Sequence, residues 1–168
     1  MRRLRVTTYD GGNSLYDTVL ELITAAQRRV WIKIPWWDTS PQARRLLDAV
    51  IAAKQRGVDV LVLCRPEASN DAVLRKLRRA DISLTSVRYI HEKELIADDI
   101  AVTHSMNFTR TEIERNQNSG SVFDTPRGDR RPRSGFPHAA GQSGGGQRRR
   151  GGVDTEFGAD PPRISRSS

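Results

Sequence analysis

Residues 91–109 read HEKELIADDIAVTHSMNFT. His91 and Lys93 open a run that reads as a β-strand, where residues two apart share a face, so they are expected to point together. Leu95 and Ala97 continue that face, and Asp98-Asp99 supply a tight turn. Ile100 and Val102 return the chain as a second strand that ends in Ser105, Met106 and Asn107. A short hairpin brings its two open ends together, so His91 and Lys93 are expected near Ser105 and Asn107. That set holds a nucleophile or acid, a cation and two neutral hydrogen-bonding groups. It suits a phosphodiester, with Lys and Asn on the non-bridging oxygens while His attacks phosphorus.

These residues resemble a known family. His91-x-Lys93, four residues and Asp98, then Ser105-x-Asn107, is similar to the HxKxxxxD…GSxN motif of the phospholipase D superfamily, and Phe108-Thr109 matches a common continuation. The resemblance implies an α/β domain with helices packed on both faces of a mixed sheet. It implies chemistry in which one motif histidine becomes a phosphohistidine and a second protonates the leaving oxygen, with no metal or other cofactor. His91 is then the nucleophile, Lys93, Ser105 and Asn107 bind the phosphate, and Asp98 is a supporting charge. One copy of the motif supplies one histidine, so a symmetric homodimer with both motifs at the two-fold axis is expected.

Two positions depart from the pattern. The glycine before the motif serine is His104 here, and the spacing from Asp98 to Ser105 is one residue short. Glycine commonly serves where backbone approaches a ligand closely. His104 is therefore expected to put a ring into phosphate space and, when protonated, to add a competing cation beside His91 and Lys93. The family's downstream acidic position falls near Asn118, so no such role passes to Glu112 or Glu114.

N-terminal to this stretch the chain alternates strands and helices. Residues 4–9 read as a strand broken by Gly11-Gly12, and Asn13 or Ser14 caps a helix with Leu15, Val19, Leu22, Ile23 and Ala26 on its apolar face, reaching about Arg28. VWIKI at 30–34 is a short strand ended by Pro35. Ser40 caps a second helix with Pro41 at its first position, carrying Leu46, Leu47, Val50, Ile51 and Ala53 and stopped by Gly57. VDVLVL at 58–63 is a buried strand, Ser69 or Asn70 starts a third helix, and residues 82–89 lead into the hairpin. Strands and helices alternating at these spacings make a mixed β-sheet flanked by helices.

Composition bounds the partners. The chain has 168 residues and a net charge of +8, which favours polyanions, either nucleic acid or an anionic lipid surface. Nucleic acid (DNA or RNA) is preferred over membrane lipid, because no run approaches the roughly 18–20 apolar residues of a membrane span. A cytoplasmic location is the expectation. The lone cysteine, Cys64, sits in an apolar run and reads as a buried thiol. Trp36-Trp37-Asp38 follows a strand end, where loops of open α/β sheets line ligand crevices; packing is the competing reading for the two indoles. Arg75, Lys76, Arg78 and Arg79 read as a solvated helix face, and Arg110 and Arg115 as steering charges.

The composition changes near Ser119. From there to Ser168 stand ten of the chain's thirteen glycines and nine arginines, with no lysine. Such a segment buries too little apolar area to offset its ordering entropy. The expected organisation is a phospholipase-D-like domain over 1–118 and a disordered tail over 119–168.

Overall fold

In the computed structural model the described residues are 7–10 and 13–125. They form seven strands and four α-helices. In chain order these are β1 (Thr7–Asp10), α1 (Asn13–Ala25), β2 (Arg29–Ile34), α2 (Pro41–Gln55), β3 (Asp59–Cys64) and α3 (Asp71–Arg79). There follow β4 (Ser83–Ser86), β5 (Glu94–Ala97), β6 (Ile100–His104), α4 (Arg110–Glu114) and β7 (Ser119–Asp124). One mixed sheet takes all seven strands in the order β1-β7-β6-β5-β2-β3-β4. β2, β3 and β4 run parallel, joined through α2 and α3, and the remaining neighbours are antiparallel.

The helix faces read from the sequence are the buried ones. Leu15, Val19 and Ile23 of α1, Leu46, Leu47 and Val50 of α2, and Val73, Leu74 and Leu77 of α3 meet Val30, Ile32 and Ile34 of β2 in one core. Each such side chain contributes about 1.5–3 kcal/mol by leaving water. Leu22 and Ile51 sit at the margin of that core, half-buried. All helix residues of the core lie on one face of the sheet. The other face carries a second, smaller cluster of Trp31, Leu63, Ile90, Ile96 and Ala101, drawn from strands and from the segment before β5. The mixed sheet flanked by helices is the expected fold, and among the described residues the helices of the core cover one of its faces. The alternation within β2 explains the split, because Trp31 and Lys33 point away from Val30, Ile32 and Ile34.

Local details follow from single residues. Gly57 takes φ 88, and its N–H donates to the Lys54 carbonyl at 2.9 Å, which ends α2 as expected. Ser40 precedes α2, but its hydroxyl donates to the Asp38 carboxylate instead of capping the helix. Asn70 precedes α3 as expected, but its side chain likewise makes no cap hydrogen bond. Fully buried, it accepts from the Trp37 N–H at 2.9 Å and donates to the carbonyls of Pro35 at 2.8 Å and Arg65 at 3.0 Å. It thereby ties together the carboxyl ends of β2 and β3.

The boundary expected before Ser119 falls later. Ser119–Asp124 is an interior strand, paired with β6 on one side and β1 on the other. Val122 packs on the main core and Phe123 on the second cluster. Glycine-rich composition hid this alternation. The rest of the expected tail, 126–168, lies outside the described residues, as do residues 4–6 of the first expected strand.

Candidate functional site

The hairpin forms as read. β5 and β6 pair from Glu94↔Thr103 to Ala97↔Ile100, leaving Asp98-Asp99 as the turn. The strand itself starts later than expected, at Glu94, so His91 and Lys93 precede it. The ladder nevertheless gains one step, because the His104 N–H donates to the Lys93 carbonyl at 3.0 Å. This bond closes the open end and sets the motif halves side by side. Residues 91–94, Lys33 and residues 103–105 line a cavity of about 580 Å³ there. It opens where the carboxyl end of β2 meets the start of β5, the position at which open α/β sheets commonly take ligands.

His91 is exposed at this cavity. Two cationic side chains hold the backbone beneath it. Arg65 Nε donates to the Ile90 carbonyl at 2.7 Å, and Lys93 Nζ donates to the His91 carbonyl at 2.9 Å. Arg65 is itself fixed by stacking on Trp36, 4.3 Å from the ring centre. Burial pulls the Lys93 pKa below the ordinary lysine value; Glu112 opposes that shift and Arg65 adds to it.

Sequence reasoning missed Lys33, Glu92 and Glu94. Lys33 is buried in β2, and its Nζ pairs with Glu92 and Glu94, each at 3.1 Å. A removed partner would leave a buried charge, which is costly, so the trio fixes the register Lys33↔Glu94 at the cavity floor. The available signal was a lysine inside the apolar run VWIKI, flanked later by glutamates on both sides of Lys93.

Ser105 lines the cavity, but its hydroxyl is engaged. It donates to Asn118 Oδ1 at 2.9 Å and accepts from the Ser119 N–H at 3.1 Å. Asn118 is buried and also donates to the Glu112 carbonyl at 2.6 Å, joining β6, α4 and β7. Asn107 is buried, and its Oδ1 has no hydrogen-bond partner. It is not among the residues lining the 580 Å³ cavity.

His104 behaves differently from the expectation. Its ring stacks on Phe108, with centres 5.9 Å apart and planes at 17°. Burial pushes its pKa down to about 4, the Met106 backbone offsets this only in part, and Lys93 adds to the fall. The ring is therefore neutral near pH 7, and the expected competing cation is absent. Neither ring nitrogen meets a partner at hydrogen-bond geometry.

Asp98 is not brought to the cavity. It sits at the far end of the hairpin with φ 51, and its carboxylate accepts from the N–H groups of Gln27, Arg28 and Arg29 at 2.9, 2.8 and 3.0 Å. Burial alone would raise its pKa, but these three bonds and the Arg28 charge outweigh it and hold the carboxyl below its usual value. The position is an anchor between the turn and the start of β2. Trp37 is a core residue, edge-on to Phe108 at 4.9 Å with its Nε1 on the Ala43 carbonyl. Trp36 is half-buried under Arg65. The basic residues of α3, with Arg110 and Arg115, are exposed. No three His, Cys, Asp or Glu side chains among the described residues converge as a metal site, and no described helix is long and apolar enough to cross a membrane.

Known structures share this architecture. The phospholipase D family member Nuc from Salmonella typhimurium matches with a TM-score of 0.60 and 23% identity over 72% of this chain and 84% of its own. NucT from Helicobacter pylori matches at 0.60 and 16%, over 73% and 86%. Phosphatidylserine synthase from Haemophilus influenzae Rd KW20 matches at 0.63 and 15%, over 71% of this chain and 33% of the synthase. Against curated protein sequences no significant match is found. Residues 19–130 match the family model described as "Cardiolipin synthase, PLD-like domain". That span runs from α1 through β7 and contains the whole hairpin; the chain belongs to the phospholipase D superfamily.

Proposed function

We propose that the protein is a metal-independent phosphodiesterase acting on nucleic acid as a homodimer. The observation that carries this reading is an exposed His91 at a cavity it shares with Lys93 and Ser105, its backbone gripped from below by Arg65 and Lys93. An imidazole nitrogen of His91 attacks phosphorus, and the bond to the leaving oxygen breaks as that oxygen takes a proton from His91 of a second subunit. Water then attacks the phosphohistidine, giving its proton to the second histidine and freeing His91. Lys93 balances charge on the non-bridging oxygens. A two-fold interface duplicates the site element, which supplies the second histidine. The net charge of +8 supports nucleic acid as the polyanion.

A second reading is a phospholipase-D-like module that binds nucleic acid without cleaving it. It is favoured by the commitment of Ser105 to Asn118 and of a Lys93 proton to the His91 carbonyl. Cleavage of an activated phosphodiester and of DNA and RNA, measured in EDTA, separates the two. The enzyme reading expects turnover that His91→Ala abolishes and an acid-labile phosphohistidine on quenching. Binding without any turnover supports the module, and turnover of a phosphatidyl substrate alone points to lipid.

A further inference from the structure

We propose that His104 is a phosphate-binding residue of the cleft that takes up a proton as a phosphodiester oxygen docks on its ring. The proposal rests on the phosphodiesterase reading for the identity of the ligand. Its own ground is a half-buried side chain whose ring nitrogens, apart from the influence of the Met106 backbone, have nothing to bond. Both ring nitrogens are buried and lack hydrogen-bond partners, an uncommon state for polar groups in folded proteins. His104 also lines two cavities, the 580 Å³ one with His91 and Lys93 and a second of about 350 Å³ shared with residues 119–121.

The ring is placed there by its surroundings. Phe108 stacks along one side. On the neighbouring strand His104 pairs with Gly120, where an added Cβ would come within 3.2 Å of the His104 Cβ, 3.1 Å of the Thr103 carbonyl oxygen and 2.8 Å of Leu15 Cδ1. Glycine at 120 leaves room for Leu15 and for the Cβ of a side chain at 104. The ring is thus held in a niche at the cleft.

Donor and acceptor counting then gives the chemistry. A neutral imidazole offers one N–H and one lone pair, whereas a phosphodiester monoanion only accepts hydrogen bonds. Such a ligand accepts from one ring nitrogen, and the bond becomes charge-assisted, and stronger, when the ring is protonated. The groups around His104 decide when the proton is present. Lys93 opposes it, and Glu112 acts on Lys93 in turn. Glu92 and Glu94 are paired with Lys33 across the cavity. The neighbours from β7 and the 106–108 loop, namely Ser119, Ser121 and Phe108, carry no charge. In the empty cleft, burial and Lys93 keep the ring neutral. A docked monoanion cancels the effect of Lys93 and supplies an acceptor, so its binding raises the affinity of His104 for a proton. By linkage, phosphodiester affinity then rises as pH falls.

The test uses the full-length His91→Asn protein, which removes turnover and the other cleft histidine, with bis(4-nitrophenyl) phosphate, a monoanion across the range used. Calorimetric titration in two buffers of different ionisation enthalpy is expected to show net proton uptake. Affinity is expected to rise at least about threefold from pH 7.5 to 5.5, the ceiling being about tenfold per pH unit for one proton. His91→Asn/His104→Gln is expected to bind with no uptake and no such rise. Nitrogen-15 histidine spectra of the His91→Asn protein, with His138→Gln assigning the other signal, are expected to show both His104 nitrogens protonated only with ligand. This second readout needs no variant at position 104. Uptake that persists in His104→Gln, a ring that stays neutral with ligand, or no binding by the folded protein overturns the proposal. If the native chain cleaves diesters while any of these holds, the phosphodiesterase reading survives and this one fails. Proton-coupled binding in a chain that cleaves nothing has the reverse meaning.

Discussion

The Ser105 hydroxyl donates to Oδ1 of Asn118 at 2.9 Å, across thirteen residues of sequence. This bond ties the end of the motif hairpin to the start of β7, and Asn118 extends it to the Glu112 carbonyl of α4. Removing the buried Asn118 side chain breaks these two part-buried bonds, at about 0.5–1.5 kcal/mol each and about 1–3 kcal/mol together. Asn118→Ala is expected to lower unfolding free energy in urea by that amount. An unchanged midpoint would show that water replaces the amide without loss.

Asp98→Ala tests the anchor at the opposite end of the hairpin. The carboxylate accepts three backbone N–H groups, and these sites are partly open to water, so a loss of about 1–2 kcal/mol is expected. Binding of a phosphodiester by the folded variant should stay close to native. A selective loss of binding, with stability intact, would return Asp98 to the site chemistry.

The two adjacent tryptophans are expected to separate. Trp37 is 1% exposed, and Trp37→Ala should cost about 3–5 kcal/mol. Trp36 supports Arg65 from a half-buried position. Trp36→Ala should cost about 1 kcal/mol through the lost cation–π contact. Equal losses at the two positions would contradict this division.

His104 gives the apo protein an acid-sensitive element. Its folded-state pKa, about 4, lies below the usual histidine value. Between the two values the unfolded chain binds more protons than the native one, so stability falls as pH drops from about 6.5 towards 4, by up to about 1.4 kcal/mol per pH unit. Chemical denaturation at several pH values checks this, and His104→Gln should flatten that part of the profile.

Affinity for single- or double-stranded nucleic acid is expected to fall steeply with salt, because phosphate contacts release counterions. Filter binding or anisotropy across a salt series measures the slope. Salt-independent binding would remove the basic surface from the recognition model.

Local physics made much of the protein legible. Proline at 41 and glycine at 57 bracket α2, apolar residues at helical spacing name the buried faces, and Asp98-Asp99 between alternating apolar residues specifies a two-residue hairpin. Such signals act over a few residues, so they survive in a linear reading. The meeting of His91, Lys93 and Ser105 also followed, because a hairpin's geometry is set by its turn. Contacts between distant parts of the chain set the rest. Lys33 and Glu94 stand sixty-one positions apart yet pair at 3.1 Å, and the Asp98 carboxylate is spent on backbone some seventy positions away. β7 formed despite its glycine because β1 and β6 offered it two ladders. The charge state of His104 depended on what surrounds it, since desolvation is a property of packing and not of spacing.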